Sequence, residues 1–268
     1  ELEWYFLDED LESGDYGQYM ATTPTDYHQD LRRLIAEDMI EMFPTGSPHT
    51  IHHEVGPGQQ EIELSKLDAL AQADNVQWGK LICKTEASLQ DVIATFMPKL
   101  FPNEAGNGLH IHIYLEDDQC NNIFSQKGSI SENLRHFIGG VMHHVDALSA
   151  ILNPSTNSYK RLTPHHEAPV YKSWGIANRT ALVRVPGYES KAHIEYRAGD
   201  GTMNIYLGMA GLLAAGLDGI ENEREPNKPT TDNVDLLSDE KRKEGGIQQL
   251  PNELKISLES FENCSCMK

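Results

Sequence analysis

Basic residues are scarce in this chain of 268 residues. It has 22 lysines and arginines against 41 aspartates and glutamates, which gives a formal net charge of −19. A protein that binds the phosphate backbone of nucleic acids needs a basic face, so we expect no nucleic-acid partner. Long apolar runs are also missing, and none approaches the ~20 residues of a transmembrane helix, so we expect no membrane insertion. Hydrophobic residues still make up 39% of the chain, which is typical of a folded protein.

Cysteine is rare as well. The four cysteines are Cys83, Cys120, Cys264 and Cys266. The chain opens with an acidic pair around a leucine and has neither the basic stretch nor the long apolar core of a signal peptide at its start. We therefore expect reduced thiols in a cytoplasmic protein. The pair of thiols at 264 and 266 could bind a metal, but two thiols at a terminus usually have no role.

The spacing of apolar residues predicts a mixture of helices and strands. Four segments have apolar residues at helical spacing: 25–43, 65–84, 132–152 and 204–220. Seven others have the alternation or composition of strands: 1–7, 50–55, 60–64, 92–97, 109–115, 181–185 and 193–197. Strands and helices do not alternate regularly, which favours an α+β fold with an antiparallel sheet. Charge, proline and asparagine dominate 221–268, so we expect that region to be peripheral.

Polar residues share faces in several of these strands. Residues two apart in a strand point to the same side of the sheet. The residues that share a face in this way are Glu1 with Glu3, His110 with His112, and His193 with Glu195 and Arg197. A hairpin at the Gly-Pro-Gly turn of 56–58 would also bring Glu54 near Glu61. In one strand alone, a solvated acidic face or a hydrogen-bonded histidine pair is the simpler explanation. Repetition over several strands instead favours one polar cavity.

The composition of that cavity indicates hard cations. About five carboxylates and one or two histidines, without thiolates, form a ligand set that Mg²⁺ or Mn²⁺ prefers. Zinc is less suited, because no cluster has the spacing of a zinc finger. A second set is cationic: Arg161, Arg179, Arg184 and Arg197. Arginines beside divalent cations bind phosphate and carboxylate groups, which points to metal-dependent phosphoryl transfer without a P-loop or a kinase-type glycine loop.

Seven motifs carry a more specific signal. They are ELEWYFL (1–7), HHEVGPGQQEIEL (52–64), TFMPK (95–99), GNGLHIH (106–112), NPSTNSYKRLTPHHEAP (153–169), NRTALVRVP (178–186) and HIEYR (193–197). With these motifs the chain resembles the catalytic domain of the bacterial and archaeal type of glutamine synthetase, from residue 1 to about residue 251. The resemblance implies a curved antiparallel sheet that lines the active site, with helices around it.

The resemblance also implies which parts of a typical family member lie outside these residues. The small N-terminal β-grasp domain of the family would be absent, and its C-terminal helices would be cut short. We therefore expect residues 1–268 to be one catalytic domain from a longer chain, inactive by itself. Family members form double rings, so we expect the full-length protein to be a homo-oligomer.

The activity implied by the resemblance is a ligase reaction. Glutamate, ammonia and ATP would give glutamine through a γ-glutamyl phosphate intermediate, with two or more Mg²⁺ or Mn²⁺ ions bound. Six residues resemble metal ligands: Glu3, Glu54 and Glu61 for the ion nearer the substrate glutamate, and Glu1, His110 and Glu195 for the ion that bridges the ATP phosphates.

The remaining site residues also follow from the resemblance. His112 would contact the nucleotide phosphates, and Arg179 and Arg184 would stabilise the transferring phosphoryl group. The substrate glutamate would be held by Gly106, Arg161 and Arg197. Glu167 resembles the flap residue that closes over the intermediate and helps to take a proton from ammonium.

Some residues depart from the family pattern. His193 stands where many members have an arginine, Ala105 precedes the GNGLHIH motif, and His165 and His166 precede the flap glutamate. These departures leave a γ-glutamyl–amine ligase, acting on a polyamine or an alkylamine, as a second hypothesis. A non-catalytic protein with the same fold is the third, although all six metal ligands are present.

Overall fold

The computed structural model describes residues 1–164, 166–187 and 191–267. The chain forms two compact units. The first comprises Glu1–Leu109 and Asp200–Tyr206, and the second comprises His110–Gly199 and Leu207–Lys268. Among the helices of the described residues, none combines the length and the apolar character needed to cross a lipid bilayer.

The first unit is built on a sheet of four antiparallel strands. In chain order these are β1 (Leu2–Leu7), β2 (Pro48–His53), β3 (Gln59–Leu64) and β4 (Ile93–Thr95). In space the order is β2-β3-β1-β4, so β1 lies between two neighbours. All six residues of β1 are buried, because its apolar face packs on helices and its other face carries the polar residues described below.

Two helices complete the first unit, α1 (Gln29–Met42) and α2 (Ala69–Leu89). Met39 of α1 and Trp4 of β1 are fully buried. The helix α2 begins later than the apolar spacing predicts. The carboxylate of Asp68 accepts a hydrogen bond from the amide of Ala71 at 3.1 Å, which caps the helix there and leaves 65–67 outside it.

The second unit has its own four-stranded sheet. The strands are β5 (Ile111–Ile113), β8 (Trp174–Ile176), β9 (Val183–Val185) and β10 (Ile194–Tyr196), in the spatial order β5-β10-β9-β8. A short hairpin consists of β6 (Ser125–Gln126) and β7 (Ser129–Ile130). Pairing is antiparallel except between β8 and β9, which run parallel. The predicted α+β class with antiparallel sheets is confirmed, and the strands predicted from the sequence divide between the two four-stranded sheets.

Five α-helices of the described residues lie wholly or mainly in this unit. They are α3 (Glu132–Leu152), α4 (Ser158–Arg161), α5 (Ile205–Glu221), α6 (Asp239–Glu244) and α7 (Leu254–Asn263). Ser131 caps α3, as predicted, and accepts a hydrogen bond from the amide of Leu134 at 3.1 Å. The helix α7 packs against α3. Although α5 is nearly all apolar, Leu207 and Leu217 remain 59% and 45% exposed.

The helices α3 and α5 approach each other closely at two glycines. A Cβ atom at Gly140 would collide with the backbone oxygen of Ala215 and with the backbone of Gly219. A Cβ atom at Gly219 would collide with the backbone oxygen of His136. Because these neighbours are backbone atoms of packed helices, they cannot rotate away as a side chain does.

We expect Gly140→Ala to destabilise the protein. Overpacking of a core costs about 1–3 kcal/mol, which exceeds the ~1 kcal/mol that alanine gains over glycine within a helix. Gly211→Ala in α5 is the matched control, because its Cβ would lie 3.2 Å from a flexible end of Ile151. Urea denaturation should give a lower midpoint for Gly140→Ala alone. Equal midpoints for the two variants would contradict the close approach.

Candidate active site

Strand register in the first unit places acidic side chains in a row. Glu3 on β1 lies directly opposite Glu61 on β3, and Glu61 lies opposite His52 on β2. Opposite residues in an antiparallel sheet have Cβ atoms about 4.5–5.5 Å apart and share a face. The three residues are only 7%, 5% and 8% exposed. Two buried carboxylates therefore flank one another, with an imidazole at the end of the row.

The imidazole of His52 joins two of the carboxylates. Its Nε2 atom lies 3.1 Å from a carboxylate oxygen of Glu54 and 3.1 Å from one of Glu61. Burial opposes a charge on the ring, but the hydrogen bonds to Glu54 and Glu61 outweigh it and raise the pKa of His52 to about 10. Burial also raises the pKa of Glu61. A positive charge beside these carboxylates is therefore strongly favoured.

Glu3 is positioned by the loop that contains Gly106. The amide of Gly108 donates a hydrogen bond to the Glu3 carboxylate at 2.6 Å. The side-chain amide of Gln59 donates to the backbone oxygen of Gly106 at 3.2 Å and to the side chain of Asn107 at 3.1 Å. These bonds hold the loop at the end of the acidic row.

The donor set of the first unit fits a hard divalent cation. Ligand atoms of His52, Glu54 and Glu61 lie within 4.8 Å of one another, and Glu3 is next to Glu61 in the row. Buried carboxylates are costly unless a cation compensates them, and oxygen ligands suit Mg²⁺ and Mn²⁺. His52 was not among the residues predicted from the sequence. Its spacing of two from Glu54 was the signal that could have identified it.

A second row lies in the sheet of the second unit, with Glu195 at its centre. His112 on β5 and Arg184 on β9 lie opposite Glu195 on β10. The Glu195 carboxylate is almost fully buried and accepts hydrogen bonds from Arg184 at 2.7 Å and from Arg197 at 3.0 Å. The Nδ1 atom of His110 lies 3.7 Å from the same carboxylate. One carboxylate, two histidines and two arginines thus lie together.

His193 orients the His112 ring. Nδ1 of His193 donates to the backbone oxygen of Lys191 at 2.6 Å. Burial lowers the pKa of His193, so its ring is neutral and its Nε2 atom accepts a hydrogen bond from His112 Nδ1 at 3.0 Å. This residue, which departs from the family pattern, therefore supports a predicted phosphate-binding histidine.

The remaining predicted residues of the second unit form two further groups. The Arg161 guanidinium is buried and donates to the backbone oxygens of Ala198, at 3.0 Å, and Arg197, at 3.3 Å. Arg197 in turn donates to the backbone oxygen of Arg179.

Glu167 and Arg179 line one pocket. Glu167 has a φ of +62°, a strained conformation for a residue with a side chain and one that is frequent at functional sites.

A buried ion pair holds the backbone of Glu54. His53 Nε2 donates to the Asp15 carboxylate at 3.1 Å, and its Nδ1 donates to the backbone oxygen of Glu54 at 2.6 Å. Asp15 also accepts hydrogen bonds from the amides of Gly17 and Gly58, at 3.1 and 2.5 Å. Neither side chain of the pair is exposed. The pair therefore fixes the turn between β2 and β3.

Comparison with known proteins identifies relatives along nearly the whole chain. The family profile described as "Glutamine synthetase, catalytic domain" matches residues 3–268. The glutamine synthetase of Pyrococcus furiosus is 45% identical over 260 residues, which cover 97% of this chain and 58% of that protein. The glutamine synthetase of Thermotoga maritima is 42% identical over 251 residues, which cover 92% of this chain and 57% of that protein.

Solved structures with a similar fold also match nearly the whole chain. A structure described as a GmaS/ADP complex matches with a TM-score of 0.89 at 29% identity, over 99% of this chain and 63% of that chain. The glutamine synthetase of Plasmodium falciparum, solved by cryo-electron microscopy, matches with a TM-score of 0.84 at 26% identity, over 99% of this chain and 66% of that chain. This chain therefore spans less than two thirds of the length of these relatives.

We expect Asp15→Asn to destabilise the fold in a pH-dependent way. Burial opposes ionisation of both groups, but their mutual hydrogen bond outweighs it, so the pKa of His53 is raised and the pKa of Asp15 is lowered. The contribution of Asp15 is present above a pH of about 3.9 and is lost as the pH falls further. The contribution of His53 is complete below a pH of about 6.5 and is lost as the pH rises through its raised pKa.

Urea denaturation at two pH values checks this prediction. Removing one partner of a buried ion pair costs about 3–5 kcal/mol, and we expect the loss to be larger at pH 5.5 than at pH 9. Asp30→Asn is the control, because that carboxylate is 94% exposed and should matter little at either pH. A loss that does not depend on pH would argue against an ion pair.

Proposed function

The chain belongs to the glutamine synthetase family, and we propose that it contains the catalytic residues of an ATP-dependent ligase that makes glutamine from glutamate and ammonia. The observation that carries the proposal is the buried row of Glu3, Glu61 and His52, with Glu54 beside it. Three carboxylates against the single positive charge of His52 favour a bound cation over a purely structural role. The activity of the whole protein is part of the proposal, since relatives are longer than this chain.

Two divalent cations, Mg²⁺ or Mn²⁺, would complete the site. The proposed ligands are Glu3, Glu54 and Glu61 for one ion, and His110, Glu195 and Glu1 for the other. The distances within each unit support the first set and the pairing of His110 with Glu195, whereas the family resemblance assigns Glu1. Such ions neutralise the charge of ATP phosphates and of a transferring phosphoryl group.

Arginines and one loop would position the substrates for the first step. The family resemblance assigns the binding of glutamate to Gly106, Arg161 and Arg197, with the γ-carboxylate of glutamate facing the γ-phosphorus of ATP. The carboxylate oxygen attacks phosphorus and ADP leaves, which gives γ-glutamyl phosphate. Arg179 and Arg184 would offset the negative charge that spreads over the phosphoryl oxygens.

The second step would use the pocket lined by Glu167 and Arg179. Ammonia attacks the carbonyl carbon of the intermediate, inorganic phosphate leaves, and the Glu167 carboxylate accepts the proton that nitrogen must lose. His112 would hold the nucleotide phosphates throughout. Exclusion of water from this pocket protects the acyl phosphate from hydrolysis. By family resemblance we also propose that the full-length protein is a homo-oligomer.

Glu61→Gln should weaken Mn²⁺ binding by at least about tenfold, since it removes one anionic ligand but keeps the size of the side chain. Titration calorimetry on the folded protein measures this directly. Glu37→Gln is the matched control, because it makes the same change of charge at an exposed position of α1. Equal Mn²⁺ affinity in the Glu61→Gln variant and the original protein would refute the assignment.

A γ-glutamyl–amine ligase is the second candidate function. Its motivation is His166, directly before the pocket residue Glu167, together with Ala105 in the loop before Gly106. The neighbouring His165 lies outside the described residues. In this candidate function, His166 or Ala105 would favour an amine larger than ammonia. The metals and the phosphoryl transfer would stay the same.

A product assay on the full-length protein separates the candidates. We expect ammonia to be used with a kcat/KM at least about tenfold above those of methylamine and putrescine, because a site shaped for ammonia has no room for an added methyl or alkyl group. ATP-dependent glutamine formation should require Mg²⁺ or Mn²⁺. Preference for methylamine or putrescine would select the second candidate, and no product with any amine would indicate a non-catalytic protein.

A further inference from the structure

A chain of hydrogen-bonding groups unrelated to the proposed ligase site lies in the second unit. The Sγ atom of Cys264, directly after α7, lies 3.3 Å from Nδ1 of His144 on α3. The other ring nitrogen of His144, Nε2, lies 2.7 Å from the carboxylate of Asp218 on α5. A thiol, an imidazole and a carboxylate are thus connected in series, as in enzymes that activate a nucleophile.

The carboxylate fixes the direction of proton transfer in this series. The Arg224 guanidinium donates to Asp218 at 2.5 Å, and this bond, with that from His144, lowers the pKa of Asp218. Asp218 is therefore an anion and accepts the Nε2–H of His144. The Nδ1 lone pair is then directed at the Cys264 thiol, where it can take the proton. His144 is 9% exposed, so its ring is held in this orientation.

We propose that Cys264 is a nucleophilic thiol, activated by His144 and Asp218, and that hydrogen peroxide oxidises it selectively. The Cys264 proton moves to Nδ1 of His144 and leaves a thiolate. The thiolate sulfur attacks one peroxide oxygen, the O–O bond breaks, and the departing hydroxide takes the proton from His144. Sulfur loses two electrons and becomes a sulfenic acid, and peroxide is reduced to water.

Other charged and titratable groups around Cys264 act more weakly than His144. The His143 ring stacks edge-on against His144, with centroids 4.7 Å apart, and burial lowers the pKa of His143, so it stays neutral. Burial raises the pKa of Cys266, and Asp218, Cys264 and Glu221 raise it further. The C-terminal end of α7 adds about half a negative charge, which opposes the thiolate. A full imidazolium charge 3.3 Å from sulfur outweighs it.

The other cysteines supply internal references. Cys120 is exposed and Cys83 is fully buried. Accessibility alone would make Cys120 the more reactive thiol, since Cys264 is only partly exposed. A faster reaction at Cys264 therefore requires activation rather than access.

Alkylation and peroxide oxidation of the folded chain at pH 7 test the proposal. Iodoacetamide measures the thiolate, and peroxide followed by dimedone traps the sulfenic acid, with peptide mass spectrometry reporting each cysteine. We expect Cys264 to react about tenfold faster than Cys120 with both reagents. His144→Gln should remove this advantage, whereas His143→Gln, the matched control on the adjacent residue, should keep it.

Two results would overturn the proposal. One is a Cys264 that reacts no faster than Cys120 in the original protein, and the other is an unchanged Cys264 rate in His144→Gln. Cys83 reports folding in every sample, because it becomes reactive only if the core opens. If His144→Gln exposes Cys83, Asp218→Asn, which keeps the imidazole but not its anionic partner, serves in its place. Since none of these residues belongs to the proposed ligase site, the result is independent of that function.

Discussion

Pairing of β1 with β3, and of β3 with β2, is the constraint on which the acidic row of the first unit depends. The pairing places Glu3, Glu61 and His52 opposite one another across three strands. A shift of one residue in either register would send these side chains to the opposite face, among the helices. The burial of Leu2, Trp4 and Phe6 against that helical layer therefore also fixes where the carboxylates lie, because alternate residues of β1 cannot change sides independently.

Cationic side chains compensate buried carboxylates in both units. Each row holds a buried carboxylate that would be costly alone, and each supplies a cationic group from a neighbouring strand. In the first unit that group is His52 between Glu54 and Glu61. In the second unit Glu195 is paired with Arg184, on the neighbouring strand β9, and with Arg197, two residues further along its own chain segment. These side chains hold the carboxylates in defined positions, and the carboxylates hold the arginines in turn. A metal ligand and an arginine that binds phosphate both need to be held in this way.

Sequence patterns predicted much of the fold and several of the buried carboxylates that the two sheets bring together, for local reasons. Alternation within a single strand located Glu195, the turn at 56–58 predicted that Glu54 lies near Glu61, and long motifs identified the family. Features that depend on distant parts of the chain were missed. His52 was omitted because its role arises only when β2 pairs with β3. The triad of His144, Asp218 and Cys264 was not foreseen, because those residues are widely separated in sequence and meet only where three helices converge.

Backbone geometry at Glu167 places conformational stability in conflict with the proposed chemical role of this residue. At most positions glycine is the costly replacement, but a φ of +62° reverses that order, since glycine adopts it freely and a residue with a Cβ does not. The replacement that would relax the chain most is therefore the one that removes the carboxylate from the pocket. A design for thermal stability that considered only backbone conformation would replace Glu167 with glycine. Glu167 therefore has to be kept fixed in any such design.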